Sequence, residues 1–275
     1  MAESLEVSKS GFFAHRRKEE PPRRQEDREI VRVIKPAFAA SRQTYGCPRV
    51  TMALRAQGVR CGKNRVARLM RENSLRPRQK RRRGRPRTTE SNHREPVAEN
   101  WLARVPAPER PNQVWVADIP CIDTGEGWLY LAGILDACTR RCVGWQTGET
   151  LEATLVTQAW QKAVDNRRPG PGLLHRSDRG AQYASGGAMR VLLAQSGAAA
   201  SMSPKGNCYD NAMMESFWAT LKAECFAGER PPTRQAARLM VFDYIEGFYN
   251  RSRLHSGLGY KSPLAFEQAI RYTRN

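Results

Sequence analysis

Three acidic residues, far apart in the chain, have the neighbours expected of residues that act together. Asp118 follows a β-favouring Val-Trp-Val run, Asp178 comes shortly after an apolar Leu-Leu pair, and Glu215 lies in a segment with helical periodicity. Two carboxylates at strand ends and one on a helix can converge on one point. Carboxylate oxygens are ligands that Mg²⁺ prefers, and two divalent ions about 3.5 to 4 Å apart stabilise the attacking and leaving oxygens of a phosphodiester. The three residues predict metal-dependent phosphodiester chemistry with two Mg²⁺ or Mn²⁺ ions, although each alone is more commonly a solvated or capping residue.

The segment around Glu215 divides into two faces when its residues are placed at about 100° per residue. The apolar arc consists of Met213, Met214, Phe217, Trp218 and Leu221. The other arc carries Glu215 and Lys222, so we expect both to face an open surface. Asp210 or Asn211 is the candidate N-cap, and residues 204–207 before it predict a loop.

Positive charge is concentrated in the first third of the chain. The 275 residues carry a net charge of +19. Residues 1–95 hold 26 Lys or Arg against 10 acidic residues, whereas residues 96–275 hold 20 against 17. A basic arm on a nearly neutral folded part is typical of nucleic-acid-binding proteins, whose phosphate contacts make binding strong and salt-sensitive. An anionic membrane is the alternative partner, but no amphipathic helix with a bulky aromatic face accompanies the basic stretches.

The cysteines and the lack of long apolar runs indicate a cytosolic protein without membrane contact. The seven cysteines include no CxxC pair, and Cys138 and Cys142 have no second pair nearby to complete a zinc site. No apolar run reaches the roughly 18 residues of a membrane span, and no signal peptide is recognisable. We therefore expect reduced, mostly buried cysteines.

Residues 27–75 show the periodicity of three short helices. A helix from Glu26 must end or kink at Pro36, a second begins at Pro48 and stops at Gly58, and a third begins near Asn64. The last two, joined by a short turn, suit a helix-turn-helix. The candidate DNA contacts of this domain are Lys63, Arg65 and Arg68. The alternative is a basic, solvated helical hairpin.

Residues 76–112 are predicted to form an extended linker, because the run RPRQKRRRGRPR at 76–87 carries too many like charges to fold by burial. Its arginines are candidate DNA contacts, either in a narrow minor groove or through sequence-independent phosphate binding. They are Arg81, Arg82, Arg83, Arg85 and Arg87. Lys205, in the loop before Glu215, and Lys222 are two further candidates.

Residues 113–229 have the pattern of a sheet with helices. Strands are predicted at 113–118, 128–136, 142–147 and 173–177, with a helix at 151–166 before the fourth strand. A loop is expected at 197–200. Asp136, inside a strand, is expected to have a structural role.

Residues 230–275 are predicted to be helical. A long helix at 233–250 has an expected apolar side formed by Leu239, Phe242, Ile245 and Tyr249. The Ser-Pro pair at 262–263 makes a cap and a first-turn residue for a last helix. Between these helices, Arg251 and Arg253 are candidate contacts to DNA phosphates, with packing of the segment as the alternative.

Four stretches resemble the integrase core of bacterial insertion-sequence transposases, in particular the second reading-frame product of elements whose core is similar to retroviral integrases. They are WVADIP (115–120), WLYLAGILDACTRRCVGW (128–145), SDRGAQYAS (177–185) and SMSPKGNCYDNAMMESF (201–217). The stretches 44–75 and 248–267 also resemble the segments that flank this core in the family.

The resemblance implies a ribonuclease-H-like fold with its Asp-Asp-Glu triad at Asp118, Asp178 and Glu215. Three strands, a helix and a strand that ends at a carboxylate follow the order of that fold. The chain departs from the family twice: 36 residues separate Asp178 from Glu215, one more than is usual, and Arg176 stands where the family commonly has His. The neighbouring His175 is not expected to be catalytic.

The predicted fold class is α/β: a ribonuclease-H-like integrase core preceded by a small basic all-α helix-turn-helix domain. The predicted domains are an N-terminal segment (1–26), a helical DNA-binding domain (27–75), a basic linker (76–112), the catalytic core (113–229) and a C-terminal helical segment (230–275).

The activity implied by the resemblance is Mg²⁺-dependent cleavage of element ends and strand transfer. The implied partners are double-stranded DNA, further copies of the chain on that DNA, and the product of the upstream reading frame, in a bacterial cytoplasm at the chromosome. Two alternatives stay open: a non-catalytic DNA-binding protein that uses a degenerate core as a scaffold, and a stand-alone metal-dependent nuclease.

Overall fold

The computed structural model describes residues 8, 10, 21–78, 107–178, 183, 187–202 and 212–272. The chain divides into two compact units, Met1–Pro77 and Arg78–Asn275. The predicted N-cap at Asp210 or Asn211, Lys205 and the linker arginines Arg81, Arg82, Arg83, Arg85 and Arg87 lie outside the described residues.

Residues 21–77 of the first unit contain three helices, as predicted. They are α1 (Pro22–Ala40), α2 (Cys47–Ala56) and α3 (Lys63–Glu72). The apolar side chains of α2 and α3 are buried, among them Val50 and Leu54 on α2 and Val66 on α3. The apolar faces of the two helices pack together. A helix of about ten residues is stable only when its apolar face is packed in this way.

Helix α1 does not end at Pro36, contrary to one of the two outcomes predicted there. The helix continues to Ala40, and Pro36 itself is exposed. Proline in a helix interior removes one hydrogen bond. The buried side chains on either side of it, Ile34 before and Phe38 after, keep the same face of the helix packed, which offsets that loss.

The second unit is built on a six-stranded sheet. Its strands are β1 (Val114–Asp118), β2 (Cys121–Thr124), β3 (Gly127–Asp136), β4 (Cys142–Gly148), β5 (Leu174–Ser177) and β6 (Ala199–Met202). Its helices are α4 (Ala153–Arg167), α5 (Ala188–Gln195), α6 (Ala212–Cys225), α7 (Arg234–Phe242) and α8 (Pro263–Tyr272), with a π-helical turn at Asp243–Tyr249 after α7 and a 3₁₀ turn at Ser256–Leu258.

The strand order is that of the predicted ribonuclease-H-like fold. Strands β1 and β2 pair in succession along one edge of β3, and β4 pairs along the other, all antiparallel. Strand β5 then lies parallel to β1, and β6 lies parallel to β5. The sheet therefore reads β4-β3-β1-β5-β6, with β2 as a short extension of the hairpin.

Two short strands differ from the predictions. Strand β6 forms at Ala199–Met202, although a loop was expected at 197–200. Alanine has little tendency to form strands, so β6 depends on its parallel partner β5, which the local pattern does not reveal. Strand β2 (Cys121–Thr124) pairs with the start of β3, in a stretch where no strand was predicted.

Helix α4 packs closely against the sheet. Trp160 of α4 and Trp115 of β1 meet edge to face with ring centroids 5.3 Å apart, inside a cluster of buried apolar residues. Gly144 of β4 makes this approach possible, because a Cβ there would lie 2.5 Å from the Ala159 carbonyl oxygen and 2.6 Å from the Ala163 Cβ.

Asp136 has the structural role expected of it. Its side chain is fully buried and accepts hydrogen bonds from the backbone amides of Asn112 and Thr139 and from the Thr139 hydroxyl, at 2.6 to 2.9 Å. It therefore fixes the turn that follows β3.

The long helix predicted at 233–250 begins as α7 and widens into a π-helical turn at Asp243–Tyr249. Two residues of the expected apolar side, Leu239 and Phe242, are 60% and 57% exposed, so that part of the prediction is wrong. Ile245 and Tyr249 of the expected side are buried as predicted, and beside them runs a buried stripe of Ala237, Val241, Tyr244 and Phe248. These are spaced i, i+4, i+7 and i+11, which is the spacing of one helix face.

The C-terminal segment packs on the core through two buried clusters of charge. In the first, Arg253 donates two hydrogen bonds of 2.7 Å to Glu224 of α6, and the Tyr244 hydroxyl donates to the same carboxylate at 2.8 Å. In the second, Glu267 of α8 pairs with Arg141 at 2.8 Å and Arg167 at 2.7 Å. Burial alone would raise the pKa of Glu267, but the two guanidinium groups hold it below its usual value.

The predicted cap of the last helix is confirmed. The Ser262 hydroxyl accepts the Ala265 amide at the start of α8, as its cap position predicted. The six cysteines among the described residues are free. Within the described ranges, no helix is long and apolar enough to cross a membrane.

Candidate active site

Asp118 and Asp178 lie side by side at one end of the sheet. Val114 pairs with Leu174 and Val116 with Arg176 in the parallel ladder of β1 and β5. Two residues beyond the pair of Val116 and Arg176, continuation of the same register places Asp118 beside Asp178. Both side chains are partly buried. Because neighbouring parallel strands end at the same edge, the two carboxylates lie at that edge although they are 60 positions apart in the sequence.

Helix α6 brings Glu215 to the same edge. Glu215 is in the first turn of α6 and is exposed, whereas the apolar arc that includes Phe217, Trp218 and Leu221 is buried, as the periodicity predicted. One turn after Glu215, the Trp218 indole N–H donates a hydrogen bond of 3.0 Å to Asp118 Oδ2. The helix is therefore held directly against the end of β1.

The electrostatics of Asp118 reflect this convergence. The pKa of Asp118 is raised to about 6, mainly by burial and in addition by the carboxylates of Asp178 and Glu215. The Ile119 amide and the Trp218 indole act in the opposite direction. The structure thus brings the three predicted acidic residues together as a group of like charges, an arrangement that a bound cation would relieve.

The donors at this edge fit a hard divalent cation in their chemistry. They are carboxylate oxygens, which Mg²⁺ and Mn²⁺ accept as ligands while keeping several waters. However, no three acidic, histidine or cysteine side chains within the described part of the chain lie close enough together to hold an ion on their own. An ion at Asp118 would therefore complete its coordination with water and substrate oxygens.

Two aromatic residues at this site were not singled out by their sequence pattern. Trp218 was assigned only to the apolar arc, and its N–H contact with Asp118 was not anticipated, although its position three residues after Glu215 is a signal that it lies near the acidic site. Tyr183 is buried, and the pKa of its hydroxyl is raised by burial and by the charges of Asp118 and Asp178. Its location in the stretch after Asp178 was the available signal.

His175 is buried among aromatic side chains, and its ring centroid lies 5.9 Å from that of Tyr183. Its ring packs edge to face on Trp160 at 5.0 Å, and burial lowers its pKa to about 3. A neutral, buried imidazole agrees with the expectation that His175 is not catalytic.

The candidate DNA contacts of the first unit differ in their surroundings. Lys63 is exposed at the start of α3. Arg65 and Arg68 instead bind Asp27 of α1 at 2.6 and 2.7 Å, and they lower the pKa of that carboxyl. Arg65 also pairs with Glu26 at 3.0 Å. The two arginines thus tie α3 to α1.

The remaining candidates lie in the second unit. Lys222 is half-buried on α6 and Arg251 is exposed. Arg253 is 3% exposed and bound to Glu224, so the prediction that it contacts DNA is corrected. A buried guanidinium whose Nε and Nη2 both donate to Glu224 cannot reach a phosphate. Arg253 therefore has the packing role that was the alternative prediction.

The two units match two domain families. Residues 24–83 match the HTH-like domain family. Residues 108–208 match the Integrase core domain, and a second model of that core matches residues 196–263. The protein is therefore an integrase-core protein with a helix-turn-helix unit in front of its core, and both parts of the predicted fold class are confirmed.

Curated relatives match over nearly the whole chain. The chain is 46% identical over 268 residues to the insertion element IS600 uncharacterized 31 kDa protein of Shigella sonnei, covering 98% of this chain and 97% of the relative. It is 39% identical over 269 residues to the transposase InsF for insertion sequence IS3A of Escherichia coli (strain K12), covering 97% of this chain and 92% of the relative. The chain belongs to this family of bacterial insertion-sequence transposases, as its sequence motifs predicted.

Solved structures with a similar fold come from retroviruses. A chain of the simian T-cell lymphotropic virus intasome in complex with the PP2A regulatory subunit B56 gamma matches with a TM-score of 0.49 and 12% identity, over 79% of this chain and 70% of that one. The HTLV-2 integrase catalytic core domain in complex with magnesium matches with a TM-score of 0.43 and 12% identity, over 57% of this chain and 97% of that one.

Proposed function

We propose that this protein is a metal-dependent DNA transposase that cleaves the ends of an insertion sequence and transfers them to target DNA. The observation that carries the proposal is the placement of Asp118 beside Asp178, with Glu215 on a helix fastened to the same strand end by Trp218. A group of like charges at a strand edge is costly to assemble, and it is commonly retained where it binds a cation or reacts.

In this proposal Asp118, Asp178 and Glu215 hold two Mg²⁺ or Mn²⁺ ions once DNA supplies further oxygen ligands. The ions would supply charge neutralisation around phosphorus and activation of the attacking water or 3′-hydroxyl. The three acidic residues would determine where the ions bind. The two aspartates stand on a rigid parallel ladder, whereas Glu215 is exposed on the helix that faces the substrate.

DNA binding is assigned to the first unit and to the basic run that follows it. The exposed Lys63 is the candidate in the first unit whose side chain is most available, since Arg65 and Arg68 are engaged by Asp27. Lys222 lies on the Glu215 helix and Arg251 on the C-terminal segment, and we propose that both contact substrate phosphates together with Lys205 and the arginines at 81–87. Binding through such contacts weakens steeply as salt increases.

Transposition joins two element ends, so we propose that the protein works as a homo-oligomer on double-stranded DNA. The name of the transposase InsF, which is 39% identical to this chain, supports action on insertion-sequence DNA. The product of the upstream reading frame is a further proposed partner, and the bacterial cytoplasm is the compartment in which all of these meet.

The decisive experiment measures nicking and strand transfer on DNA that carries the element ends, with Mg²⁺ present. Asp118→Asn and Glu215→Gln each remove one negative charge and keep the size of the side chain. We expect both variants to bind DNA as the wild type does and to lose nicking and joining to background. Asp165→Asn, which changes an exposed carboxylate near the end of α4, is the matched control and should retain full activity.

The other outcomes separate the rival functions. Activity in Asp118→Asn and Glu215→Gln equal to that of the wild type would reject the assignment of the acidic residues. DNA binding with no metal-dependent cleavage by the wild type would favour a binding protein built on an integrase core. Cleavage without transfer of a 3′-end to a target would favour a nuclease.

A further inference from the structure

The indole of Trp218 fits against the backbone of β3 at a position that only glycine can occupy. Gly133 lies under the ring, and a Cβ at Gly133 would overlap Cη2 of the indole and lie 2.9 Å from Cζ2. Gly133 is also the residue of β3 that pairs with Asp118 of β1. The ring therefore rests directly beside the strand residue that carries the candidate metal ligand.

The polar edge of the same indole holds the carboxylate. Trp218 Nε1 donates to Asp118 Oδ2 at 3.0 Å, and Trp218 is 5% exposed. An indole N–H is a donor without acceptor capacity, so it can orient a carboxylate and cannot itself take a cation. The Ile119 backbone amide donates to the same carboxylate, and the remaining lone pairs of the two oxygens are left for other ligands.

Trp218 is fixed on its other side by the hydrophobic core. Phe217 packs against Trp218 with ring centroids 4.5 Å apart and against Tyr249 at 4.7 Å. Trp218 lies three residues after Glu215, one turn along the same helix. One side chain thus connects the strand that bears Asp118, the helix that bears Glu215 and the buried aromatic cluster.

We propose that Trp218, seated on Gly133, is a positioning residue that sets the orientation of Asp118 and its separation from Glu215 for binding of a divalent cation. The inference rests on the proposed function, because it assigns Trp218 a role toward the metal ligands. Partners that orient a metal ligand typically contribute 10- to 100-fold to metal affinity or activity, roughly, when they are removed.

The test replaces Trp218 by phenylalanine, which keeps an aromatic ring in the core and removes the N–H. The matched control is Trp145→Phe, because the Trp145 N–H also donates to a carboxylate, that of Glu246 at 2.9 Å. Binding of Mn²⁺ to the full-length protein on end-containing DNA, with the DNA alone as the blank, is measured by electron paramagnetic resonance of the free ion, which requires no turnover. We expect Trp218→Phe to bind Mn²⁺ about 10-fold more weakly than wild type, and Trp145→Phe to match wild type.

A second variant and a measurement on the unaltered protein make the test independent of how Trp218→Phe folds. Gly133→Ala retains the N–H but displaces the ring, so it should weaken Mn²⁺ binding in the same direction. In the wild type, Mn²⁺ should broaden the Trp218 indole N–H resonance more strongly than that of Trp145, which lies two strands away from Asp118. The Mg²⁺ concentration that gives half-maximal nicking should rise in Trp218→Phe, while DNA affinity stays unchanged.

The outcomes distinguish this inference from the proposed function. Equal Mn²⁺ affinity in wild type, Trp218→Phe and Gly133→Ala, with nicking still abolished by Asp118→Asn, would overturn the role of Trp218 and leave the transposase proposal intact. A wild-type protein that binds no Mn²⁺ and leaves the Trp218 resonance unchanged would overturn both.

Discussion

Replacing Arg253 by alanine is expected to destabilise the second unit severely. The side chains of Arg253 and Glu224 are 3% and 8% exposed, and two hydrogen bonds of 2.7 Å join them. Burial opposes the charge of Arg253, but the bonds from Glu224 outweigh it and raise the pKa of the guanidinium. The variant would leave Glu224 buried without its cation.

The expected size of the effect follows from this burial. Removing one partner of a buried ion pair costs about 3 to 5 kcal/mol. For a unit of this size, each kcal/mol lowers the melting temperature by roughly 2 to 4 °C, so we predict a decrease on the order of 10 °C. Thermal and urea unfolding of the full chain, followed by far-ultraviolet circular dichroism, measure it.

Arg251 provides the control for Arg253, because it is two residues away and exposed. Arg251→Ala should change the free energy of unfolding by less than about 0.5 kcal/mol. If Arg251 contacts a phosphate, the slope of log affinity against log salt should fall by about one. A stable Arg253→Ala variant with weakened DNA binding would refute the packing role of Arg253 and restore it as a DNA contact.

A triple variant tests the mechanism more closely. Replacing Arg253 and Glu224 by methionine removes both charges, and Tyr244→Phe removes the hydroxyl that would otherwise lose its acceptor. Buried ion pairs can often be exchanged for apolar residues of similar volume with little loss. We expect this variant to recover most of the stability lost in Arg253→Ala. Failure to recover any would show that packing of the arginine stem, and not an uncompensated charge, determines the loss.

Three further predictions concern other parts of the molecule. Asp118 has a folded-state pKa of about 6 against an ordinary value of 3.8. Without metal, its contribution to stability is therefore greatest below the ordinary pKa and is lost as pH rises from about 4 to 6. Asp118→Asn should be more stable than wild type at neutral pH, by about 1 to 3 kcal/mol in urea unfolding, and equal stability would contradict the raised pKa. Gly144→Ala should destabilise the second unit by about 1 to 3 kcal/mol in the same assay, since its Cβ would collide with the Ala159 carbonyl oxygen, and a neutral result would argue against so close an approach of α4. In gel-shift titrations against salt, Lys63→Ala should reduce the salt slope of DNA binding by about one, whereas Arg65→Ala should mainly lower the melting temperature of the first unit; the reverse result would place Arg65 at the DNA.

The acidic edge of the sheet could be predicted from sequence because local pattern and strand order determine it. Asp118 and Asp178 each follow a short strand, and the parallel pairing of those strands brings them together. The two faces of α6 followed from simple helical spacing. The contact from Trp218 to Asp118 could not be derived in this way. It depends on the space that Gly133 of strand β3, which has no side chain, leaves for the indole ring.

Charged residues were harder to assign, because sequence gives the charge and not its partner. Arg65 and Arg253 have the same side chain and lie in similarly basic stretches, yet one binds Asp27 at a partly exposed helix face and the other is buried with Glu224. Strand β6 was missed for a related reason, since its alanines form a strand only where β5 offers a parallel edge.

The pairing of Glu267 with Arg141 joins residues 126 positions apart. A ribosome that has completed the whole sheet has therefore not yet made the anion that Arg141 and the buried Arg167 require. The second unit can reach its final stability only after helix α8 has left the exit tunnel. A premature stop codon just before that helix would spare every acidic residue of the active edge and still yield a polypeptide prone to degradation.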